Sequence, residues 1–180
     1  SSESAGANGS DQVLNLVESA EIPTMDSVQA TDTVAFTALS NVNEGLYRQG
    51  LDGTVELGIA AEDPTVSEDG LVYTFTIRDE ANWSNGEPVT AADFVYSWRK
   101  LVDPASAASY SYMMDGVIAN ATEIMAGEVG PEELGVKAID EKTLEITLAS
   151  PVPYFKDLLT LAMFFPQNQA FVEEQGDQYA

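Results

Sequence analysis

The side chains able to do chemistry in this chain are almost all carboxylates. The 180 residues contain no His and no Cys, which removes Ser-His-Asp triads, cysteine nucleophiles and the common zinc signatures. Adjacent acids such as Glu132/Glu133 and Glu173/Glu174 could supply the two carboxylates of a glycosidase. Because 30 Asp and Glu make such neighbours common by chance, the pairs favour a solvated acidic face. The sequence therefore predicts no catalytic residue, no metal site and no cofactor, with a carboxylate-dependent hydrolase as the alternative.

Two tyrosines are the remaining candidates for contact with a ligand. Tyr110 and Tyr112 follow Pro104 in a loop of small residues. A tyrosine there presents a flat apolar ring and a hydroxyl that can bond the backbone of a ligand. Spacing alone favours the other interpretation, in which both rings cap the local core. Trp83 and Trp98 lie within the apolar patterns of regular elements, which indicates core positions for both.

The charge of the chain argues against two classes of partner. Its 30 acidic and 7 basic residues give a formal net charge of −23. Nucleic acids and anionic membranes both attract basic surfaces, so neither is predicted to bind. The longest apolar run, Leu158 to Pro166, is shorter than the roughly 18 residues of a membrane span. Residues 1–12 have the small, polar composition of a flexible linker.

A helix after Thr90 is the element that the sequence defines best. Thr90 and Asp93 fit a capping box, in which the hydroxyl accepts from an early backbone N–H and the carboxylate reaches back. Asp103-Pro104 is predicted to stop the helix. The strand before it, Leu71 to Arg78, alternates between two faces. The apolar stripe of the helix consists of Phe94, Val95, Trp98, Leu101 and Val102.

Hairpins and short helices make up the rest of the predicted chain. The pattern is typical of a mixed α+β fold with antiparallel pairs, and the lack of a late strand to close against the first one suggests a fragment. The predicted elements are a strand at Val13–Val17, a helix capped within Thr31-Asp32-Thr33 and ended by Gly45, turns at Leu51–Thr54, Ser67–Gly70 and Trp83–Gly86, a hairpin of Val136–Ile139 with Leu144–Leu148, a helix from Pro153 through Leu161, and a helix from Asn168 to Gln175.

The segments around the central helix resemble a known signature. Asp69–Arg78 and Trp83–Lys100 are similar to the signature region of the extracellular solute-binding proteins that feed peptide ABC importers. Within that family they look most like the oligopeptide-binding branch. The similarity extends from about Val13 to Gly176. Three shorter stretches agree in the family's order: Asn43–Tyr47, Leu134–Asp140 and Pro151–Phe155.

The resemblance implies a type II periplasmic-binding-protein-like fold of the α+β class. Members have two lobes that close on a ligand, with an extra lobe in the peptide binders. Residues 13–43 would form the first segment of ligand-binding lobe I, and residues 44–165 the extra lobe. Residues 166–180 would begin the return to lobe I. The opposite half of the cleft would lie outside this chain.

The resemblance also implies site residues and partners. Thr31 and Thr33 match positions that face the peptide, and Tyr110 matches a tyrosine that reaches the ligand from the extra lobe. The implied ligand is an extended oligopeptide. The receptor would be a monomer that delivers this ligand to a membrane permease. The receptor would be lipid-anchored outside the cell or periplasmic. Other members of the family bind dipeptides, nickel or sugars, so a solute other than an oligopeptide is the alternative.

One stretch departs from the family pattern. Members usually carry an aromatic residue shortly after the Ala-Glu that follows the first hairpin. Here Ala61-Glu62 runs into Asp63-Pro64. The packing around Asp63 is therefore expected to differ from that of the family.

Overall fold

The computed structural model describes residues 24–35 and 43–176. The predicted linker 1–12 and the predicted strand Val13–Val17 lie outside these ranges. Helical backbone begins at Thr33. The Asp32 carboxylate accepts a hydrogen bond from the Ala35 backbone N–H at 2.9 Å, so Asp32 caps this start. Thr31 and Thr33, the other two cap candidates, are both exposed.

Over residues 24–35 and 43–176, six strands form two antiparallel sheets. The first sheet is a hairpin of β1 and β2, closed by a turn in which Gly53 has φ of 79°. The second has the order β3-β4-β6-β5. The hairpin and turns predicted from the sequence are therefore confirmed. The strands are β1 Tyr47–Gln49, β2 Val55–Leu57, β3 Thr65–Val66, β4 Val72–Thr76, β5 Val136–Ala138 and β6 Thr143–Thr147.

Four described α-helices accompany the sheets. None of the helices in the described ranges is long and apolar enough to cross a membrane. Short 3-10 turns lie at Pro104–Ser106, Ser111–Met114, Pro131–Glu133 and Ala162–Phe164. The helices are α1 Ala91–Val102, α2 Ala121–Met125, α3 Phe155–Leu158 and α4 Gln169–Gln175.

The helix predicted from Pro153 through Leu161 is shorter than expected. Pro153 lies in a turn before α3, which starts at Phe155. The helix stops early because the Thr160 hydroxyl and backbone N–H both donate to the Asp157 carbonyl, at 2.6 and 3.2 Å. These bonds tighten the chain and compete with the α-helical pattern.

The helix predicted to end at Gly45 is described only over residues 33–35, so its end stays a prediction, while Gly45 itself is a point of close packing. Residues 43–45 are already irregular. A Cβ atom at Gly45 would lie 2.8 Å from the Leu159 carbonyl oxygen and 2.8 Å from the Phe165 ring. Glycine is needed here because two distant segments approach the backbone closely.

The core lies between the four-stranded sheet and α1. The predicted capping box starts this helix, with the Thr90 backbone N–H donating to the Asp93 carboxylate at 3.0 Å. Every residue of the predicted apolar stripe is buried. Trp98 packs edge-on against Phe164, with ring centroids 5.5 Å apart. Phe75 of β4 belongs to the same core, together with Leu144 and Ile146 of β6.

A row of polar side chains on α1, called the polar line, bonds to the chain that follows α3. Asp93, Ser97 and Lys100 have i, i+4, i+7 spacing and so share one side of the helix. The Ser97 hydroxyl donates to the Phe165 carbonyl at 2.7 Å, and the Trp98 indole N–H donates to the Phe164 carbonyl at 2.9 Å. Segment 164–169 is thus held by side chains about 70 residues earlier in the chain.

Replacing Ser97 with Ala should destabilise the fold. The variant leaves the buried Phe165 carbonyl without its hydroxyl donor, which costs about 1–3 kcal/mol. Urea unfolding followed by tryptophan fluorescence measures this change. Ser84→Ala, at an exposed turn position, is the matched control and should change the unfolding free energy by less than about 0.5 kcal/mol. Equal effects of the two variants would contradict the role given to Ser97.

Candidate functional site

Two loops that carry the candidate ligand contacts touch each other. The first, residues 24–33, is called the threonine loop because it carries Thr31 and Thr33. The second, residues 103–115, is called the tyrosine loop because it carries Tyr110. The Gln29 side-chain amide donates to the Ser106 carbonyl at 2.8 Å and so joins them. A residue of predicted lobe I and a residue of the predicted extra lobe are therefore in direct contact.

The threonines and the tyrosine differ in exposure. Thr31 and Thr33 are exposed, with their side chains outside the core. Tyr110 is half-buried and packs against the main core, with its ring centroid 5.8 Å from that of Tyr112. Tyr112 is 58% exposed. Tyr110 therefore packs in part against the core, as one interpretation predicts, and also remains partly exposed.

A buried polar cluster joins the threonine loop to α1 and to the chain that follows α3. Asp26, Ser27 and Gln167 are only 7%, 2% and 1% exposed. The Gln167 amide donates to Asp26 Oδ1 at 2.7 Å and to Ser27 Oγ at 3.1 Å. Lys100 of α1 pairs with Asp26 Oδ2 at 3.1 Å. Asp26, Gln167 and Lys100 are called the junction cluster below.

Sequence reasoning missed the junction cluster. A signal was present on α1, where Asp93, Ser97 and Lys100 form a polar line beside the apolar stripe. That line predicts polar partners, but only the fold reveals that Asp26 and Gln167 are among them. The two partners lie 141 residues apart in the chain.

Trp98 has the core position that the sequence indicates, whereas Trp83 packs against the core from its edge. Trp98 is fully buried. Trp83 is partly buried, and its indole N–H donates to the Asp93 carboxylate at 3.1 Å. Trp83 also lines a cavity of about 680 Å³. Glu44 sits in this cavity between Arg48 at 3.1 Å and Arg78 at 3.5 Å.

The acidic pairs lie on elements other than the two loops. Glu132 and Glu133 are exposed on a 3-10 turn, and Glu173 and Glu174 are exposed on α4. Within the described ranges, no group of three or more acidic side chains could hold a metal ion.

Asp63, where the sequence departs from the family pattern, organises a polar contact. Its carboxylate accepts from Lys156 at 2.8 Å and from the Tyr47 hydroxyl at 2.7 Å. The Lys156 ammonium also lies 5.5 Å from the Tyr47 ring centroid. Burial, and then the bond to Asp63, raise the pKa of the Tyr47 hydroxyl. This contact links β1 to α3.

Similar solved structures share the overall fold of this chain. The structure of Listeria monocytogenes OppA bound to peptide superposes with a TM-score of 0.90 at 51% identity, over 94% of this chain and 33% of that one. The substrate-binding domain of an oligopeptide ABC transporter from Bacillus anthracis gives 0.88 at 45% identity, over 92% of this chain and 32% of that one. The fold is therefore of the type II periplasmic-binding-protein class, and the predicted α+β class is confirmed.

The chain belongs to the bacterial extracellular solute-binding proteins of family 5. The model of the middle region of that family matches residues 54–180. The dipeptide-binding protein of Lactococcus lactis is 40% identical over 159 residues, which cover 88% of this chain and 28% of that protein. The periplasmic oligopeptide-binding protein OppA of Salmonella typhimurium is 38% identical over 169 residues, 93% of this chain and 31% of that protein. This chain thus spans about a third of the length of these relatives.

Asp63→Asn should make the unfolding temperature less dependent on pH at acidic pH. Bonds from Lys156, and then from Tyr47, hold the pKa of the Asp63 carboxyl below its usual range. A depressed pKa contributes stability above the unfolded-state value, near 3.9, and this contribution is lost as pH falls through the folded-state value. Thermal unfolding between about pH 2 and pH 6 tests this.

The control for this prediction is Asp79→Asn, which removes another exposed aspartate. It should leave this pH dependence close to wild type. A wild-type slope in Asp63→Asn would show that the Lys156 and Tyr47 bonds do not contribute.

Proposed function

We propose that this chain is the N-terminal part of the substrate-binding component of an ABC importer, which captures oligopeptides in extended form. The observation that carries the proposal is the joined pair of loops, with Thr31 and Thr33 on one and Tyr110 on the other. The high similarity to an OppA bound to peptide supports this assignment. In this proposal residues 13–43 belong to lobe I, residues 44–165 form the extra lobe, and residues 166–180 return to lobe I. Residues 1–12 act as a flexible linker.

The mechanism rests on the chemistry of the peptide backbone. An extended peptide presents N–H and C=O groups that are not paired with one another. Hydroxyls of Thr31, Thr33 and Tyr110 can donate to or accept from such groups without reading a side chain. Hydrated pockets then tolerate varied peptide side chains. Closure of the lobes would exclude water and create the shape that the permease recognises.

The same proposal covers location and partners. A receptor of this family works outside the cytoplasm, either in the periplasm or held at the membrane by a lipid on an N-terminal Cys. It would act as a monomer that delivers its ligand to a membrane permease. Binding and release require no bond-breaking step, so the proposal includes no catalysis and no cofactor.

Another solute within the family is the alternative. The 40% identity to a protein named as dipeptide-binding supports a shorter peptide ligand. Competition between dipeptides and longer peptides for one site in the intact protein separates these two candidates. Nickel, a sugar and a carboxylate-dependent hydrolase have no comparable support from the described residues.

Tyr110→Ala should weaken peptide binding. Loss of the ring and hydroxyl from a partly buried contact typically lowers affinity by on the order of tenfold, or about 1.4 kcal/mol. Isothermal titration calorimetry of the intact protein with a mixed peptide pool measures this loss. Tyr110→Phe removes the hydroxyl alone and separates its contribution from that of the ring.

The matched control is Tyr154→Ala, which removes a tyrosine that is 55% exposed at the start of α3. It should bind peptide as wild type does. If Tyr110→Ala and Tyr154→Ala bind equally well, Tyr110 does not contact the ligand. If wild type binds no peptide at all, the proposed function itself is wrong.

The acidic charge should speed the capture of cationic peptides. A net charge of −23 over these 180 residues attracts Lys-rich peptides at distances up to about a Debye length. Stopped-flow association rates at low salt should therefore be higher for Lys-rich than for Glu-rich peptides of equal length. The difference should shrink as salt rises to about 1 M. Equal rates at low salt would rule out this steering.

A further inference from the structure

The junction cluster connects three segments that are far apart in the chain. Asp26 belongs to the threonine loop, Lys100 to α1, and Gln167 to the stretch that follows α3. Each Asp26 carboxylate oxygen has a separate partner, with Gln167 on Oδ1 at 2.7 Å and Lys100 on Oδ2 at 3.1 Å. The Gln167 side-chain oxygen lies 3.5 Å from the same Lys100 ammonium. The three side chains thus close a triangle of polar contacts.

Asp26 also sets the local shape of the threonine loop. Its Oδ1 accepts from the Val28 backbone N–H at 2.9 Å. Its carbonyl oxygen accepts from the backbone N–H groups of Gln29 at 3.0 Å and Ala30 at 2.9 Å. These bonds leave Gln29 in position to reach the Ser106 carbonyl of the tyrosine loop. A single residue therefore shapes one loop and anchors it to the helix that the other loop follows.

Stability alone is a weak explanation for this arrangement. A buried ion pair gives up much of its Coulomb energy to desolvation, and apolar replacements of similar volume are often as stable. What a fully bonded polar cluster adds is a single defined geometry, because each misplaced partner leaves a buried group unsatisfied. The geometry fixed here is the position of the threonine loop relative to α1.

We propose that Asp26 is a positioning residue of the peptide cleft. It acts through Lys100 and Gln167 to fix the position of the threonine loop relative to the tyrosine loop. The proposal rests on the function proposed above, since Thr31, Thr33 and Tyr110 are its peptide contacts. Asp26 itself is buried and touches no ligand. It fixes the positions of Thr31 and Thr33 before a peptide binds. Binding therefore does not have to spend free energy on ordering the loop.

The test measures loop position and peptide affinity separately, in the intact protein. These 180 residues contain no cysteine, so Thr31→Cys and Ser109→Cys place spin labels at two exposed positions, one on each loop. Pulsed electron paramagnetic resonance gives the distance distribution between them without peptide. Calorimetry on unlabelled protein gives the peptide affinity. Any cysteine elsewhere in the intact protein is replaced first.

Two variants break the junction cluster in different ways. Asp26→Asn keeps an oxygen for the Val28 N–H but removes the charge that pairs with Lys100. Lys100→Met keeps the Asp26 turn intact and removes the ammonium that contacts both Asp26 and Gln167, so it serves if Asp26→Asn does not fold. The matched control is Asp63→Asn, which removes an aspartate from the exposed 2.8 Å pair with Lys156. Circular dichroism well below the melting temperature establishes that each variant is folded.

We expect either junction variant to broaden or shift the label distance and to weaken peptide binding by roughly 2- to 30-fold. Asp63→Asn should change neither quantity at neutral pH. A wild-type label distance in folded Asp26→Asn and Lys100→Met overturns the proposal. A changed distance with unchanged affinity also overturns it, because loop position would then not matter for binding.

The outcomes also separate this proposal from the proposed function. If wild type binds no peptide, the function fails, and with it the claim that Asp26 serves a peptide cleft. If wild type binds peptide but the junction variants bind equally well, only the role of Asp26 fails.

Discussion

Helix α1 is buried along most of its length, so its polar side chains must find partners inside the protein. Asp93, Ser97 and Lys100 meet this requirement by bonding to segment 164–169 and to Asp26. This constraint brings the threonine loop, the helix and the chain after α3 to one place. Within the described residues, these bonds fix where the threonine loop and segment 164–169 lie on α1.

The candidate site follows from the same constraint. The tyrosine loop begins where α1 ends, so its position is set by the helix. The threonine loop is held to α1 through Asp26 and reaches the tyrosine loop through Gln29. The exposed Thr31 and Thr33 and the half-buried Tyr110 thus lie on loops that are bonded to each other or to α1. For the proposed capture of varied peptides such an arrangement matters, because contacts that are ordered in advance cost less entropy on binding.

Features whose cause is local were predictable. Gly53 and Gly70 mark turns that need positive φ, and both turns form. The capping box at Thr90 and the stop at Pro104 place α1 within a residue, because each depends on neighbours a few positions away. The Pro153 helix was predicted too long, although the Thr160 bonds to Asp157 that shorten it are local as well. The close approach of Leu159 and Phe165 to Gly45 has a non-local cause, and no pattern around Gly45 indicates it.

The sequence by itself determined the apolar and polar faces of α1, the antiparallel pairs and the acidic surface, since periodicity and composition act over short range. Its likeness to a family also nominated Thr31, Thr33 and Tyr110. Only the tertiary structure decided that Asp26, in the loop that carries those threonines, meets Lys100 and Gln167. The reason is physical: a buried carboxylate looks like any surface acid in the sequence, and its partners are chosen by packing between segments up to 141 residues apart.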